Sequence, residues 1–188
     1  MAKPSHGNKK ARLLSSRIVY RGPVFWVTTD QVLEPGGMRV RRDIVRHSGS
    51  VVILAVDQSG TEARVLLGRQ YRHAAQQYLW ELPAGRIDPG ENERKAAKRE
   101  LLEETGYTAR RWSRVLRFWA SPGFLAESMA IYLARDLRQE TARPEPDEII
   151  ESRFFRLSKV AEMIMNKSLR DAKTICGVFW LAQRTQQR

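Results

Sequence analysis

The hydrophobic positions of the chain change their period part-way along it. Up to Arg72, apolar residues alternate with polar ones or gather in short β-branched runs. Five strands are predicted there: Leu13 to Tyr20, Val24 to Leu33, Met38 to Arg46, Val51 to Val56 and Arg64 to Arg72. Pro35-Gly36-Gly37 and Asp57-Gln58-Ser59-Gly60 separate them, and connections this short favour antiparallel hairpins. From Asn92 to Thr105 good helix formers take over, entered through Asp88-Pro89-Gly90 and stopped by Gly106, which suits a left-handed C-cap. Strands resume over Trp112 to Trp119, Met129 to Ala134 and Ile149 to Leu157, and helices over Lys159 to Asn166 and Ala172 to Gln183 close the chain. Strands with helices grouped between and after them predict an α+β fold, a mixed sheet between helical layers.

A chain of 188 residues can bury one sizeable core. Its longest apolar run, Val51 to Val56, reads as a buried strand, far short of the roughly 20 residues of a membrane span. The opening MAKPSHGNKKAR has no apolar stretch of the secretory kind, so a soluble, cytoplasmic protein without membrane contact is expected. The single cysteine, Cys176, precludes an intramolecular disulfide and reads as core packing.

The net charge of +12 widens the choice of partners to nucleic acid, membranes and polyanionic small substrates. Part of it lies in residues 1–12, where Lys3, Lys9, Lys10 and Arg12 accompany little that could be buried, and a disordered basic tail is expected. The stretch RRWSRVLR, Arg110 to Arg117, interleaves arginines with Trp112 and Val115, but no nucleic-acid-binding motif surrounds it. Nucleic acid is therefore not the expected main partner.

The informative anomaly is RELLEETGY, Arg99 to Tyr107. Glu100, Glu103 and Glu104 fall in the last turn of the predicted helix, where unpaired carbonyls already concentrate negative charge. At about 100° per residue the three share one arc of the helix, with Ala96 and Ala97 on the same side one turn earlier. Arg99 precedes Glu103 by four residues and can hold it. Mutually repelling carboxylates at a negative helix end call for a positive partner, and a hard divalent cation such as magnesium is the simplest.

The wider spacing carries a resemblance. Gly85, five residues, Glu91, seven residues, Arg99-Glu100-Leu101, one residue, Glu103-Glu104, one residue, Gly106-Tyr107 resembles the Nudix box at every fixed position. The resemblance implies an α/β/α sandwich with a mixed sheet, in which a strand-loop-helix binds divalent metal at a diphosphate. QYRHAAQQYLWELPAGRIDPGE, Gln70 to Glu91, and SPGF, Ser121 to Phe124, are similar to segments of ADP-ribose pyrophosphatases and related nucleotide-sugar hydrolases, a likeness running from about Val24 to Gly177. It divides the chain into the tail 1–12, an N-terminal antiparallel strand region 13–48 and a Nudix hydrolase domain 49–188.

By that resemblance Glu100, Glu104 and the carbonyl of Ala84 are metal ligands. Glu103 shares the metal cluster or handles the water. Glu91 supports the loop and can reach a metal, Arg99 braces the carboxylates, and Gly85 and Gly106 shape the backbone. Arg72 corresponds to a substrate-binding arginine, Arg46 is a second candidate, and Glu81 contacts substrate or braces its turn. A late acidic loop, PEPDEIIE from Pro144 to Glu151, would supply the general base or an additional metal ligand: Glu148 first, with Glu145 and Asp147 as competitors. Glu127 is a further candidate ligand or substrate contact. Phe25 and Trp26 could supply one ring against a base, but the charged strand Val40 to Asp43 stands where a second ring would be expected. The expected reaction is Mg²⁺-dependent hydrolysis of ADP-ribose to AMP and ribose 5-phosphate, with Mn²⁺ as the alternative ion. GDP- or UDP-sugars are the alternative substrates, a non-catalytic ADP-ribose sensor is the alternative class, and a homodimer is expected.

Overall fold

The structure is a computed structural model and describes residues 10–142 and 149–186. It falls into two compact units. One takes the residues up to 48 together with 119–127, the other 49–118 and the residues from 128 onward.

The larger unit is built on a seven-stranded sheet. Its strands are β4 (Ser50–Asp57), β5 (Arg64–Arg72), β6 (Gln77–Glu81), β7 (Ala84–Arg86), β8 (Tyr107–Trp119), β10 (Ser128–Gln139) and β11 (Glu151–Arg156). The order is β11-β5-β4-β10-β8, with β6 also paired to β5 and β7 to β4. β4 and β10 are parallel, whereas β5 runs antiparallel to β4, β6 and β11, so the sheet is mixed. The alternation of β4 sends Val52, Leu54 and Val56 to one face, where they join Val160 and Met163 of α2 (Leu157–Met165) and Val178 and Leu181 of α3 (Ala172–Gln186). Val51, Ile53 and Ala55 go to the other, against Ala96, Ala97 and Leu101 of α1 (Glu93–Thr105). A continuous apolar run is what a strand covered by helices on both faces requires. Each fully buried valine, leucine or isoleucine among them contributes on the order of 1.5–3 kcal/mol. The result is an α+β, helix-sheet-helix sandwich. Among the described residues no helix is long and apolar enough to cross a membrane.

The smaller unit is a four-stranded sheet. β1 (Arg12–Arg21), β2 (Trp26–Leu33) and β3 (Arg39–Arg46) pair antiparallel, and β9 (Leu125–Ala126), which follows the SPGF turn, adds to β3 in parallel. Residues 1–9 of the basic tail lie outside the described residues.

Several boundaries differ from those predicted. β8 starts at Tyr107 rather than Trp112, because Tyr107 and Ala109 already face the α1-side core although little about YTARR is strand-like. β10 continues past Ala134 to Gln139, through Asp136 at φ 57°, a local break that interrupts the alternation. The strand predicted over Ile149 to Leu157 is confined to Glu151–Arg156, and α2 begins at Leu157. The short strands β6, β7 and β9 carry too few residues to show a period.

Candidate functional site

Helix α1 is fixed at both ends by its own residues. Asn92 caps its start by accepting a hydrogen bond from the Lys95 N–H at 2.9 Å. Gly106 ends it at φ 68°, its N–H bonded to the Leu102 carbonyl at 2.9 Å. A Cβ at Gly106 would also lie 2.7 Å from the backbone nitrogen of Ala142, so the stop needs glycine for room as well as conformation.

Two carboxylates from this helix meet one stretch of β7. Glu104, buried, accepts from the Ala84 N–H at 3.2 Å. Glu100, one turn earlier, sets its carboxyl group against Gly85, where a Cβ would overlap it. β7 is held in place by pairing with β4, Ala84 opposite Val52 and Gly85 opposite Val51. Glu100, Glu104 and the peptide units of Ala84 and Gly85 are thus brought together by the close packing that Ala96 and Ala97 allow, both fully buried.

The positive charge demanded by the acidic last turn comes, in this structure, from Arg99. Its Nη1 donates to Glu100 Oε1 at 2.7 Å and Glu103 Oε2 at 2.9 Å. Its Nη2 donates to Glu91 Oε2 at 3.0 Å and to the Arg86 carbonyl at 3.1 Å. Hydrogen bonding from Arg99 holds the Glu91 carboxyl below the usual glutamate range, against a smaller opposing effect of burial. Among the described residues no three acidic, histidine or cysteine side chains form a ready cation cage. The donor set nevertheless fits a hard divalent ion: two carboxylates one turn apart beside a peptide carbonyl, with the side-chain space at Gly85 given over to Glu100.

A second cluster adjoins the first. Arg72 forks onto Glu81, Nε to Oε1 and Nη2 to Oε2, both at 2.9 Å. Lys173 adds its Nζ to Glu81 Oε2 at 2.5 Å and to Asp171 Oδ1 at 2.9 Å. Burial drives the Glu81 carboxyl upward, but the Arg72 hydrogen bond and the charge of Lys173 outweigh it and leave the group below its ordinary range. Asp171 also caps the start of α3 through the Thr174 N–H and hydroxyl. The Thr174 hydroxyl in turn accepts from the Leu82 N–H at 2.7 Å, tying α3 to the turn that leads into Ala84. Lys173, Asp171 and Thr174 are not among the site residues expected from the sequence. Asp171 three residues before a threonine at a helix start is a capping signal that marks the place.

Arg46, Phe25, Trp26 and Glu127 lie in the smaller unit. Arg46 binds Asp30 Oδ2 at 2.5 Å and Thr28 Oγ1 at 3.1 Å, and Ser16 donates to the other Asp30 oxygen at 2.6 Å. Phe25 is exposed, 5.5 Å from the ring of Tyr20, and Trp26 is half-buried at the start of β2. Glu127 Oε1 is 3.7 Å from His47 Nδ1. Glu148, with Glu145 and Asp147, lies outside the described residues.

Comparison with known proteins identifies the family. The NUDIX domain family model matches residues 45–176. The ADP-ribose pyrophosphatase of Bacillus subtilis strain 168 is 31% identical over 172 residues, covering 90% of this chain and 91% of that protein. The ADP-ribose pyrophosphatase of Mycobacterium tuberculosis is 37% identical over 169 residues, 88% of this chain and 80% of that protein. A crystal structure of an ADP compounds hydrolase superposes with a TM-score of 0.78 at 23% identity, over 95% of this chain and 96% of that one, and shares the fold. The chain belongs to the Nudix family, as a pyrophosphohydrolase. Hydrolases of this family generally use divalent metal ions.

Proposed function

We propose that the chain hydrolyses the diphosphate of ADP-ribose, or of a closely related nucleoside diphosphate sugar, and that it does so with Mg²⁺, Mn²⁺ being the alternative ion. The observation that carries this reading is the closure of Glu100 and Glu104, from one helical face, onto the Ala84–Gly85 backbone. The two bacterial ADP-ribose pyrophosphatases similar over most of the chain support the substrate.

Glu100, Glu104 and the Ala84 carbonyl would hold the ion. Once bound, it supplies the positive charge that lets a diphosphate approach four acidic side chains and that favours deprotonation of water. The chain's own residues supply the rest. Arg72, its side chain 41% exposed and already oriented by Glu81, presents its fork to the phosphate oxygens. Glu103, the most exposed of the box glutamates, or Glu148 of the late loop takes the proton as water attacks phosphorus. The bond from phosphorus to the bridging oxygen breaks, leaving AMP and ribose 5-phosphate. Arg99 offsets the mutual repulsion of Glu91, Glu100 and Glu103 by donating to all three.

The base contact is the less constrained part. The strand Val40 to Asp43 carries ion pairs, Arg41 with Asp43 and Arg42 with Glu34, in place of a second ring, which keeps GDP- and UDP-sugars as the second reading. A homodimer is supported by β1, an edge strand exposed along its whole length that presents Leu13, Ile18, Val19 and Tyr20. The test is phosphatase-coupled phosphate release from ADP-ribose and from ADP-, GDP- and UDP-sugars, with Mg²⁺ and with EDTA. EDTA-sensitive turnover selective for ADP-ribose is expected. Preference for another sugar nucleotide moves the assignment to that substrate, and no turnover with Mg²⁺ or Mn²⁺ leaves the ADP-ribose-sensing alternative.

A further inference from the structure

A lysine with 11% of its side chain exposed needs a reason to be charged where it is, and Lys173 has two acceptors, Glu81 and Asp171. Glu81 is itself 6% exposed and already carries both prongs of the Arg72 fork. Two cations therefore share one carboxylate, and with Asp171 the four charges balance. Among the described residues the remaining terminal nitrogen of Arg72, Nη1, makes no hydrogen bond, and the charge of Glu104 acts on this arginine. The cluster thus borders the carboxylate pair that closes on Ala84.

From this geometry we infer that Lys173 is a positioning residue for substrate binding: by sharing Glu81 with Arg72 it leaves the Arg72 guanidinium oriented yet incompletely neutralised, ready for a diphosphate. The inference rests on the reading of Arg72 as a substrate contact. Without Lys173, Glu81 would face Arg72 alone, and the cluster would carry a net negative charge beside the place a doubly charged diphosphate must enter. The effect belongs to affinity, since Lys173 reaches the reaction only through Glu81. Its place on α3 is fixed independently, by the Asp171 cap and the Leu82 to Thr174 hydrogen bond on either side of it.

The experiment is steady-state kinetics of the full chain on ADP-ribose, or on whichever nucleoside diphosphate sugar the wild type turns over best. Lys173→Met, Lys173→Arg, Arg72→Gln, Glu81→Gln and the Lys173→Met/Glu81→Gln double variant are compared, each with its thermal midpoint. Lys173→Met is expected to raise KM about tenfold with kcat within about twofold, Lys173→Arg to restore most of the affinity, and the Met substitution to add nothing once Glu81 is Gln. An unchanged KM in Lys173→Met, with a raised KM in Arg72→Gln, overturns the role of Lys173 and spares that of Arg72. An unchanged KM in Arg72→Gln overturns both. A Lys173→Met effect that persists in the Glu81→Gln background overturns the indirect route. If Lys173→Met does not fold, Lys173→Gln takes its place under the same criteria.

Discussion

The carboxyl group of Glu100 occupies the space a side chain would take at Gly85. A single methyl group there meets the end of a side chain that Arg99 also holds, so the carboxylate has to leave its position. Gly85→Ala is expected to fold with little loss of stability and to need at least about tenfold more Mg²⁺ for half-maximal activity. A metal titration of activity beside a thermal melt checks this, and an unaltered Mg²⁺ requirement would remove Glu100 from the ion's ligands.

Glu104→Gln keeps an oxygen able to accept the Ala84 N–H but loses the charge. Turnover is expected to fall by about 10² or more while the melting temperature stays within a few degrees. Near wild-type kcat would sink the assignment of Glu104 as a metal ligand.

Arg99→Gln leaves Glu91, Glu100 and Glu103 without their shared cation. A loss of about 1–3 kcal/mol is expected, since the group is partly exposed and each carboxylate is a charged acceptor losing its donor. The deficit should shrink when Mg²⁺ is added, because the ion relieves the same repulsion. Equal destabilisation with and without Mg²⁺, read by chemical denaturation, would separate Arg99 from the ion site.

Glu81 makes stability depend on pH with a definite sign. Its carboxyl in the folded chain sits below the ordinary 4.5, so the unfolded chain takes up a proton first as the solution is acidified. The Glu81 contribution is complete above about pH 4.5 and is lost as pH falls through the lower, folded value. Thermal melts from pH 7 to pH 3 should show a shallower acid decline for Glu81→Gln than for wild type, from a lower starting point at pH 7. Parallel curves would show that the ion pair with Arg72 and Lys173 does not set the acid limb.

The exposed edge β1 gives the oligomer test. Replacing Ile18 and Val19 together by lysine is expected to convert a dimer to a monomer in sedimentation velocity. A wild-type chain that is already monomeric at micromolar concentration would dispose of the dimer.

Sequence pattern makes the fold legible wherever a period runs long enough. Val51 to Val56 shows a strand covered on both faces, and Asn92 and Gly106 mark α1 to within a residue. It fails where three-dimensional pairing decides the matter. β7 has three residues, too short for any alternation, yet it delivers the Ala84 and Gly85 backbone to the site. The acidic turn RELLEET shows that a cation is required, but the partner it has in the folded chain, Arg99, lies within the same motif. Lys173 is hidden for a different reason. A lysine in the first turn of an amphipathic helix looks solvent-facing until Glu81, from the distant strand β6, is folded against it. Phe25, Trp26, Arg46 and Glu127 were readable only through resemblance, since nothing in their spacing sets them beside one another.

The hydrogen bond from Leu82 to Thr174 joins residues 92 positions apart. A ribosome that has released the whole box, Gly85 to Tyr107, has therefore delivered the acidic helix without the support under the turn that precedes it. The turn acquires that support only when the first turn of α3 emerges and docks, so this brace is one of the last contacts a nascent chain can complete. Fragments cut short before Asp171 would carry an intact signature and an unbraced turn.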